Sequence, residues 1–211
     1  MSSRPVPSPQ SSLLLPPVLC GPVEHYVAAW AVGRSAFDPG ARFDKRNKIT
    51  HRFSIADTRG RLDLTVPIVK PASSHCLWSD ILVSTHGAWW DIHRVALESA
   101  YGRTPYFEFY IDSFLPMLTV GVESRFPRLT DLQQAWDERI REHLGLEPAA
   151  DPDSLTDPLT LPTEIPTEPY RQIRAGRLGF IPGLSVLDLL FNLGPEAQIY
   201  LHRMAKSLIS P

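Results

Sequence analysis

Two stretches of alternating apolar and polar residues, 49–55 and 62–68, predict a β-hairpin. Residues 56–60, ADTRG, supply the polar turn between them. The same alternation places Arg52 on the opposite face of its strand from Phe53 and Ile55, so we expect Arg52 to be the more exposed. The positions predicted to face inward are Ile49, His51, Phe53, Ile55, Leu62, Leu64, Val66 and Ile68.

Apolar residues spaced three and four apart predict helices elsewhere in the chain. The first runs from Pro22 to about Gly33, and another covers 88–101 and ends at Gly102. A third is predicted to start at Thr104-Pro105, with Thr104 as its cap, and to stop before Pro116. Further predicted elements are an amphipathic helix over 129–147 with Leu132, Ala135, Trp136, Ile140 and Leu144 inward, short strands at 13–15 and 76–84, and two helices within 185–204.

Helix boundaries near the carboxyl end are marked by specific residues. Ser185 is a good N-cap, and Asp188 three residues later completes a variant of the capping box. Gly194 ends the first of the two helices and Pro195 opens the second. The chain therefore predicts two short helices here, separated by a sharp break.

The order of these elements predicts the α+β class, because strands come first and helices mostly later. We expect an antiparallel sheet or hairpin in the N-terminal half, packed against several C-terminal α-helices. Residues 1–11 are rich in Ser and Pro and are expected to be a disordered tail. Residues 12–211 then form a single domain, in which six prolines make 148–169 an extended loop.

Composition narrows the functional classes. A net charge of −2 gives no broad field for binding nucleic acid. The two cysteines, Cys20 and Cys76, form no CxxC pair and have no histidine at zinc spacing, so we expect no metal site and a reducing compartment. No phosphate loop or dinucleotide fingerprint is present, so no cofactor is indicated. No window is apolar enough for a membrane span, and a cytoplasmic protein is expected.

His93 has an unusual position in the helix predicted over 88–101. At helical spacing it falls inside a continuous apolar arc that also contains Trp89, Trp90 and Tyr101. One interpretation is a core histidine whose ring is bonded to a backbone carbonyl. The other is a base, acid or ligand donor in a pocket lined by the two tryptophans, because histidine can exchange a proton near neutral pH. The sequence leaves both open.

A cluster of positive charge precedes the hairpin, in FDKRNKITHRF. Lys45, Arg46, Lys48 and Arg52 are either a solvated loop or a site for a carboxylate or phosphate, to which arginine's planar fork is well suited. Arg94 and Glu98 are four apart in the predicted helix and are most simply a surface ion pair.

Four motifs together resemble the WbqC-like protein family. They are Lys45…Arg52-Phe53-x-Ile55, LTVPI, HRVALESAYGRTPYFEFY and GFIPGLSVLDLLFNLGPEA. The resemblance spans roughly residues 13–203. It implies a bacterial protein, because the family is bacterial. Some members lie in gene clusters for O-antigen and other surface polysaccharides, and a glycine- or acyl-transfer role is suggested for some of them. His51 departs from the asparagine expected before the arginine, which implies a changed or lost substrate preference if that position touches substrate.

On this resemblance, the expected function is a cytoplasmic transferase that moves an amino-acyl or acyl group from a small donor to a sugar-linked acceptor. The alternative is a non-catalytic binding or assembly protein of a surface-glycan pathway. In the transferase hypothesis His93 is the catalytic base and Lys45 and Arg52 hold an anionic group. Tyr101 or Tyr106 then positions the acceptor. The other candidate substrate-binding residues are Glu98, Asp188 and Asn192.

Overall fold

A computed structural model describes residues 12–209, except 39, 45, 72, 74, 157, 161–163 and 166. The predicted tail, 1–11, lies outside the described residues. The fold is α+β, as the sequence predicts. In the described part, the helices are α1 (Val23–Val32), α2 (Trp89–Tyr101), α3 (Phe107–Phe114), α4 (Val122–Arg125), α5 (Leu129–Leu144), α6 (Ala175–Leu178), α7 (Val186–Leu193) and α8 (Glu196–Ile209). The strands are β1 (Ser12–Leu15), β2 (Arg34–Phe37), β3 (Arg52–Asp57), β4 (Gly60–Thr65) and β5 (Leu159–Thr160).

A small parallel sheet forms at one side of the molecule, in the order β2-β1-β5. Helix α1 connects β1 to β2 and ends at Gly33, whose φ of 74° lets the chain turn back into the sheet. Leu13 and Leu15 of β1 are buried against Ala28, Ala29 and Val32 of α1. The sheet therefore covers one side of α1, while α8 packs on that helix from elsewhere.

The hairpin predicted from alternation is confirmed. Strands β3 and β4 pair antiparallel with Phe53 opposite Leu64 and Ile55 opposite Leu62. Phe53 and Ile55 are buried, whereas Arg52 is only half-buried, so the predicted difference in exposure is also confirmed. The hairpin packs its apolar face on α2 and α7.

Helix α7 lies at the centre of the main core. Every residue from Val186 to Asn192 is buried, and the helix contacts α1, α2, α3, α5, α8 and β3. Ser185 caps its start by accepting a hydrogen bond from the Leu187 amide, as predicted. The predicted capping box does not form, because the Asp188 carboxylate accepts hydrogen bonds from the Tyr101 and Tyr170 hydroxyls in the core.

An ion pair is buried where α5 meets α1 and β2. Arg141 donates from Nε to Asp137 at 2.5 Å, and both side chains are only 2% exposed. Arg141 also donates to Ser35 Oγ of β2, and Tyr26 of α1 donates to Asp137. The pair thus joins three elements that are distant in sequence.

Three sequence predictions of secondary structure are wrong. The first hairpin strand was predicted from Ile49 but begins at Arg52, because Lys48–Thr50 is a 3₁₀ turn. Residues 76–84 do not form a strand: Trp78–Asp80 is a 3₁₀ turn, and only isolated bridges at Leu82 and Val83 follow. Thr104 does not cap α3, because its hydroxyl donates back to the Tyr101 carbonyl and the helix starts at Phe107. The parallel sheet was not predicted, since β2 is four residues long and β5 is two.

None of the helices in the described part of the chain is both long and apolar enough to cross a lipid bilayer. The same residues contain no group of three or more His, Cys, Asp or Glu side chains arranged to hold a metal ion. Cys20 and Cys76 are both free thiols.

Candidate functional site

A cavity of about 460 Å³ opens between the hairpin, the start of α1 and the segment before α7. We call it the hairpin cleft. Its charged lining residues are Glu24, Lys48, Arg52, Arg61 and Asp63, and its other lining residues include Cys20, Pro22, Ser54, Gly183 and Ser185. The volume lies within the range of small-molecule sites.

Backbone hydrogen bonds hold the walls of the cleft together. The Ser185 amide donates to the Ser54 carbonyl of β3, and the Val186 amide donates to Gly21 before α1. A bridge also joins Pro22 to Ser185. Three segments far apart in sequence are therefore fixed side by side, which makes the cleft part of the folded framework.

The hairpin register orients Arg52 within the cleft. Strand pairing sets Arg52 opposite Thr65, with Ser54 opposite Asp63. The Arg52 guanidinium donates from Nε to Thr65 Oγ1 at 2.8 Å and from Nη1 to Asp63 at 3.3 Å, and Ser54 donates to Asp63 at 2.7 Å. These neighbours restrict the side chain and leave Nη2 with no partner among the described residues.

Two further cations border the cleft with little or no compensation. Lys48 is exposed and has no ion-pair partner within the described residues. Arg61 donates to the Pro182 carbonyl and has no ion-pair partner in that part of the chain either. Against them stand Glu24 and Asp63, and Asp63 is already engaged by Arg52 and Ser54. Positive charge is therefore in excess on the hairpin side.

Glu24 and Cys20 form the opposite wall, at the start of α1. One carboxylate oxygen of Glu24 is 3.5 Å from the Thr167 hydroxyl, and the other is buried with no described partner. Cys20 has a positive φ of 44°, which is uncommon outside glycine. Burial, and secondly the negative charge of Asp137, raise the pKa of the Cys20 thiol well above its usual value. The thiol is therefore protonated at neutral pH.

His93 lies in the core and does not line the hairpin cleft. Its side chain is 3% exposed, its Nε2 is 3.2 Å from the Thr65 carbonyl, and its ring packs edge-on against Phe53 and Trp89. Burial lowers the pKa of His93 to about 4, and the Thr65 bond opposes this shift. The ring is neutral at pH 7 and donates through Nε2–H to that carbonyl.

Tyr101, Asp188 and Asn192 meet in a second buried network. Asp188 is fully buried and accepts from Tyr101 at 2.8 Å, from Tyr170 at 2.7 Å and from Gln172 at 3.0 Å. Burial raises the pKa of Asp188, while these hydrogen bonds act against the rise. Asn192 donates to the Asp188 carbonyl and accepts from the Ile173 amide. The network fastens the 170–173 segment onto α7.

The remaining candidates lie elsewhere. Glu98 is exposed, is paired with Arg94 at 3.3 Å and borders a separate cavity at the end of α2. Tyr106 packs on the backbone of Gly194, where an added Cβ would lie 2.5 Å from its ring. Lys45 lies outside the described residues. His51 is buried, with Nδ1 3.2 Å from the Thr50 hydroxyl.

The sequence-based candidates thus do not converge on one cavity. Arg52 lines the hairpin cleft, Tyr101, Asp188 and Asn192 share a core network, and His93 is packed under the hairpin. Sequence reasoning did not select Cys20, Glu24, Arg61 or Asp63. Strand alternation could have indicated Asp63, because it places Asp63 on the same face of β4 as Thr65, which lies opposite Arg52. Cys20 and Glu24 reach the cleft through long-range packing, which local sequence patterns do not reveal.

Comparison with known proteins establishes the family of this chain. The model of the WbqC-like protein family matches residues 40–158, more than half of the 211-residue chain. The chain belongs to the WbqC-like protein family. No curated protein and no solved structure matches it. The matched segment includes the hairpin, α2 and α3, whereas Cys20, Glu24, Asp188 and Asn192 lie outside it.

The lowered pKa of His93 predicts a loss of stability in acid. In the unfolded chain the ring titrates near 6.5, and in the folded protein near 4, so the unfolded state binds the extra proton between these values. Stability from this group is present above pH 6.5 and is lost as the pH falls toward 4. We expect about 2 kcal/mol to be lost at pH 5.

A His93→Gln variant isolates this contribution, because glutamine keeps a donor for the Thr65 carbonyl but does not titrate. Urea unfolding at pH 5 and pH 7.5 should show a smaller difference between the two pH values in the variant than in the parent. His25, whose pKa burial lowers to about 3, still titrates in both proteins. An equal pH dependence in the two proteins would contradict the core assignment of His93.

Proposed function

We propose that this protein binds an anionic small molecule in the hairpin cleft, as a binding protein of bacterial surface-polysaccharide biosynthesis. The observation that carries the proposal is the convergence of Lys48, Arg52 and Arg61 on one cavity of ligand size. Guanidinium groups bind carboxylate and phosphate with two parallel hydrogen bonds, and an ammonium adds a point charge. The polysaccharide context comes from what is known of the family.

The buried position of His93 supports ligand binding in the cleft over catalysis by this histidine. A general base must reach the proton that it removes, whereas His93 is occupied by the Thr65 carbonyl and enclosed by aromatic rings. Its pKa of about 4 also makes it a weak base at neutral pH. The predicted catalytic role of His93 therefore has no geometric support here.

A transferase remains the second candidate, and Glu24 favours it. Its carboxylate lines the same cleft as the cations and has one oxygen without a described partner. In this version the cations hold the anionic part of an amino-acyl or acyl donor. Glu24 accepts the proton of an attacking amine or hydroxyl on a sugar-linked acceptor, the acyl group moves to that nucleophile, and the donor's leaving group departs.

Binding can be tested by thermal shift and calorimetry with amino acids, acyl-CoA and nucleotide sugars, because a ligand of the folded state raises its apparent stability. For the ligand that binds, Lys48→Ala and Arg52→Gln should each weaken affinity about tenfold or more, since each removes a charged hydrogen-bond donor.

Arg139→Gln is the matched control, because Arg139 is an exposed arginine of α5 that pairs with Glu142 and lines neither cavity. His93→Gln should leave affinity unchanged. Equal affinities in Lys48→Ala, Arg52→Gln and the control would refute binding in the cleft. Turnover that is lost in Glu24→Gln while binding persists would favour the transferase. Turnover that is lost in His93→Gln would support the catalytic-base role predicted for His93 from sequence.

A further inference from the structure

A second cavity, of about 630 Å³, lies at the carboxyl end of α2. We call it the arginine pocket. Side chains from three separate segments line it: Thr58 from the β3–β4 turn, Arg103 from the turn after α2, and Arg174 from the segment before α6. The arginine pocket and the hairpin cleft have no lining residue in common.

Arg174 holds this pocket together. Its Nη2 donates to the Ser99 and Ala100 carbonyls, both at 3.1 Å, and so caps the negative end of α2. Its Nε is buried with no hydrogen-bond partner among the described residues, and no carboxylate there pairs with the guanidinium. A buried donor left unpaired is costly, so the site retains unused capacity to donate.

Arg103 adds a free cation to the same pocket. It is exposed, and within the described part of the chain it has neither an ion pair nor a side-chain hydrogen bond. Glu98 is the acidic residue of the lining, and Arg94 engages its carboxylate. The two cations that line the pocket, Arg103 and Arg174, thus have no carboxylate partner among the described residues.

We propose that the arginine pocket binds a phosphate or diphosphate group. Donors from Thr58, Arg103 and Arg174 approach from three different segments, which suits the several outward oxygens of a phosphate better than the two coplanar oxygens of a carboxylate. The group is either part of a free phosphorylated metabolite or the headgroup of an anionic lipid. This site is independent of ligand binding in the hairpin cleft.

The first test is calorimetry with inorganic pyrophosphate at low ionic strength. The parent protein should bind it, and Arg103→Gln should weaken the affinity about tenfold or more, since one charged donor is lost. Thr58→Val should weaken it less. Arg139→Gln should bind as the parent does, and a loss confined to Arg103→Gln and Thr58→Val would assign the binding to this pocket. Arg174→Gln is less informative, because that side chain caps α2 and the variant can lose stability.

Two further arms identify the source and the class of the ligand. Vesicles of phosphatidylglycerol, with phosphatidylcholine as comparison, should bind through Arg103 and be displaced by pyrophosphate if the ligand is a lipid headgroup. Pyrophosphate binding without vesicle binding indicates a free metabolite. No pyrophosphate binding, equal affinity in Arg103→Gln, or displacement by acetate as effective as by pyrophosphate would each overturn the proposal.

Discussion

Replacing Arg141 with alanine should lower the free energy of unfolding by about 3–5 kcal/mol. The substitution removes one member of a buried ion pair and leaves the Asp137 carboxylate in the interior without its cation. It also leaves Ser35 Oγ and the Glu147 carbonyl without the guanidinium donor that each now has. Urea unfolding at pH 7.5 measures the loss directly.

The neighbouring Arg139 provides a control on the same helix. It forms an ion pair with Glu142 at 2.6 Å, but its side chain is 48% exposed. Solvent screens such a pair, so Arg139→Ala should cost less than about 1 kcal/mol. Similar losses for the two variants would mean that burial of Arg141 contributes little.

The Arg141→Ala loss should also depend on pH. Burial already raises the pKa of Asp137, and removal of the cation should raise it further. A carboxyl group whose folded pKa is raised contributes stability that is present at low pH and lost as the pH rises through that pKa. The deficit of the variant relative to the parent should therefore shrink between pH 7.5 and pH 5. A deficit that grows in acid would contradict this account.

The sequence predicted elements that follow from local patterns. Alternation around Phe53 and Ile55 fixed the hairpin, and Gly194-Pro195 fixed the break between α7 and α8, because such signals lie within a few residues of the structure that they specify. The strand predicted over 76–84 is wrong because a short apolar run is an ambiguous local signal. Trp78, Ile81 and Val83 are buried from a 3₁₀ turn and isolated bridges, an arrangement that such a run does not distinguish from a strand.

The candidate site was less predictable, because its parts come together only in the fold. Arg52 lines the cleft, but part of the opposite wall comes from the segments before α1 and before α7, which no local pattern links to the hairpin. His93 shows the opposite case. Its place among apolar residues allowed both a pocket and a core, and only the positions of Thr65, Phe53 and Trp89 distinguish the two.

Polar residues in this protein fall into two physical classes. The hairpin cleft and the arginine pocket each hold at least one cation without a carboxylate partner among the described residues, Lys48 and Arg61 in the first and Arg103 in the second, and a ligand can compensate that charge. The polar residues around Asp137 and Asp188 are buried and bonded to partners from distant segments, which suits the fastening of irregular chain to the core. By this distinction the Asp188 network is structural, and that assignment can be tested.

Replacing Asp188 with alanine should lower the free energy of unfolding by about 3 kcal/mol or more. The carboxylate accepts from Tyr101, Tyr170 and Gln172, and removing it leaves these donors buried without their acceptor, at about 1–3 kcal/mol for each group that finds no other partner. Tyr170 and Gln172 belong to the segment that crosses α7, so limited proteolysis should detect loosening of residues 170–173 as well.

Two variants make the Asp188 experiment specific. Tyr101→Phe removes one donor together with the acceptor of the Ala56 amide, and should cost less than Asp188→Ala. Because the two residues are in contact, the double variant should lose less than the sum of the single losses. Asp112→Ala, at an exposed position of α3, should change stability by no more than about 0.5 kcal/mol. A normal unfolding midpoint in Asp188→Ala, combined with lost affinity for a ligand of the cleft, would instead support the substrate-binding role predicted for Asp188 from sequence.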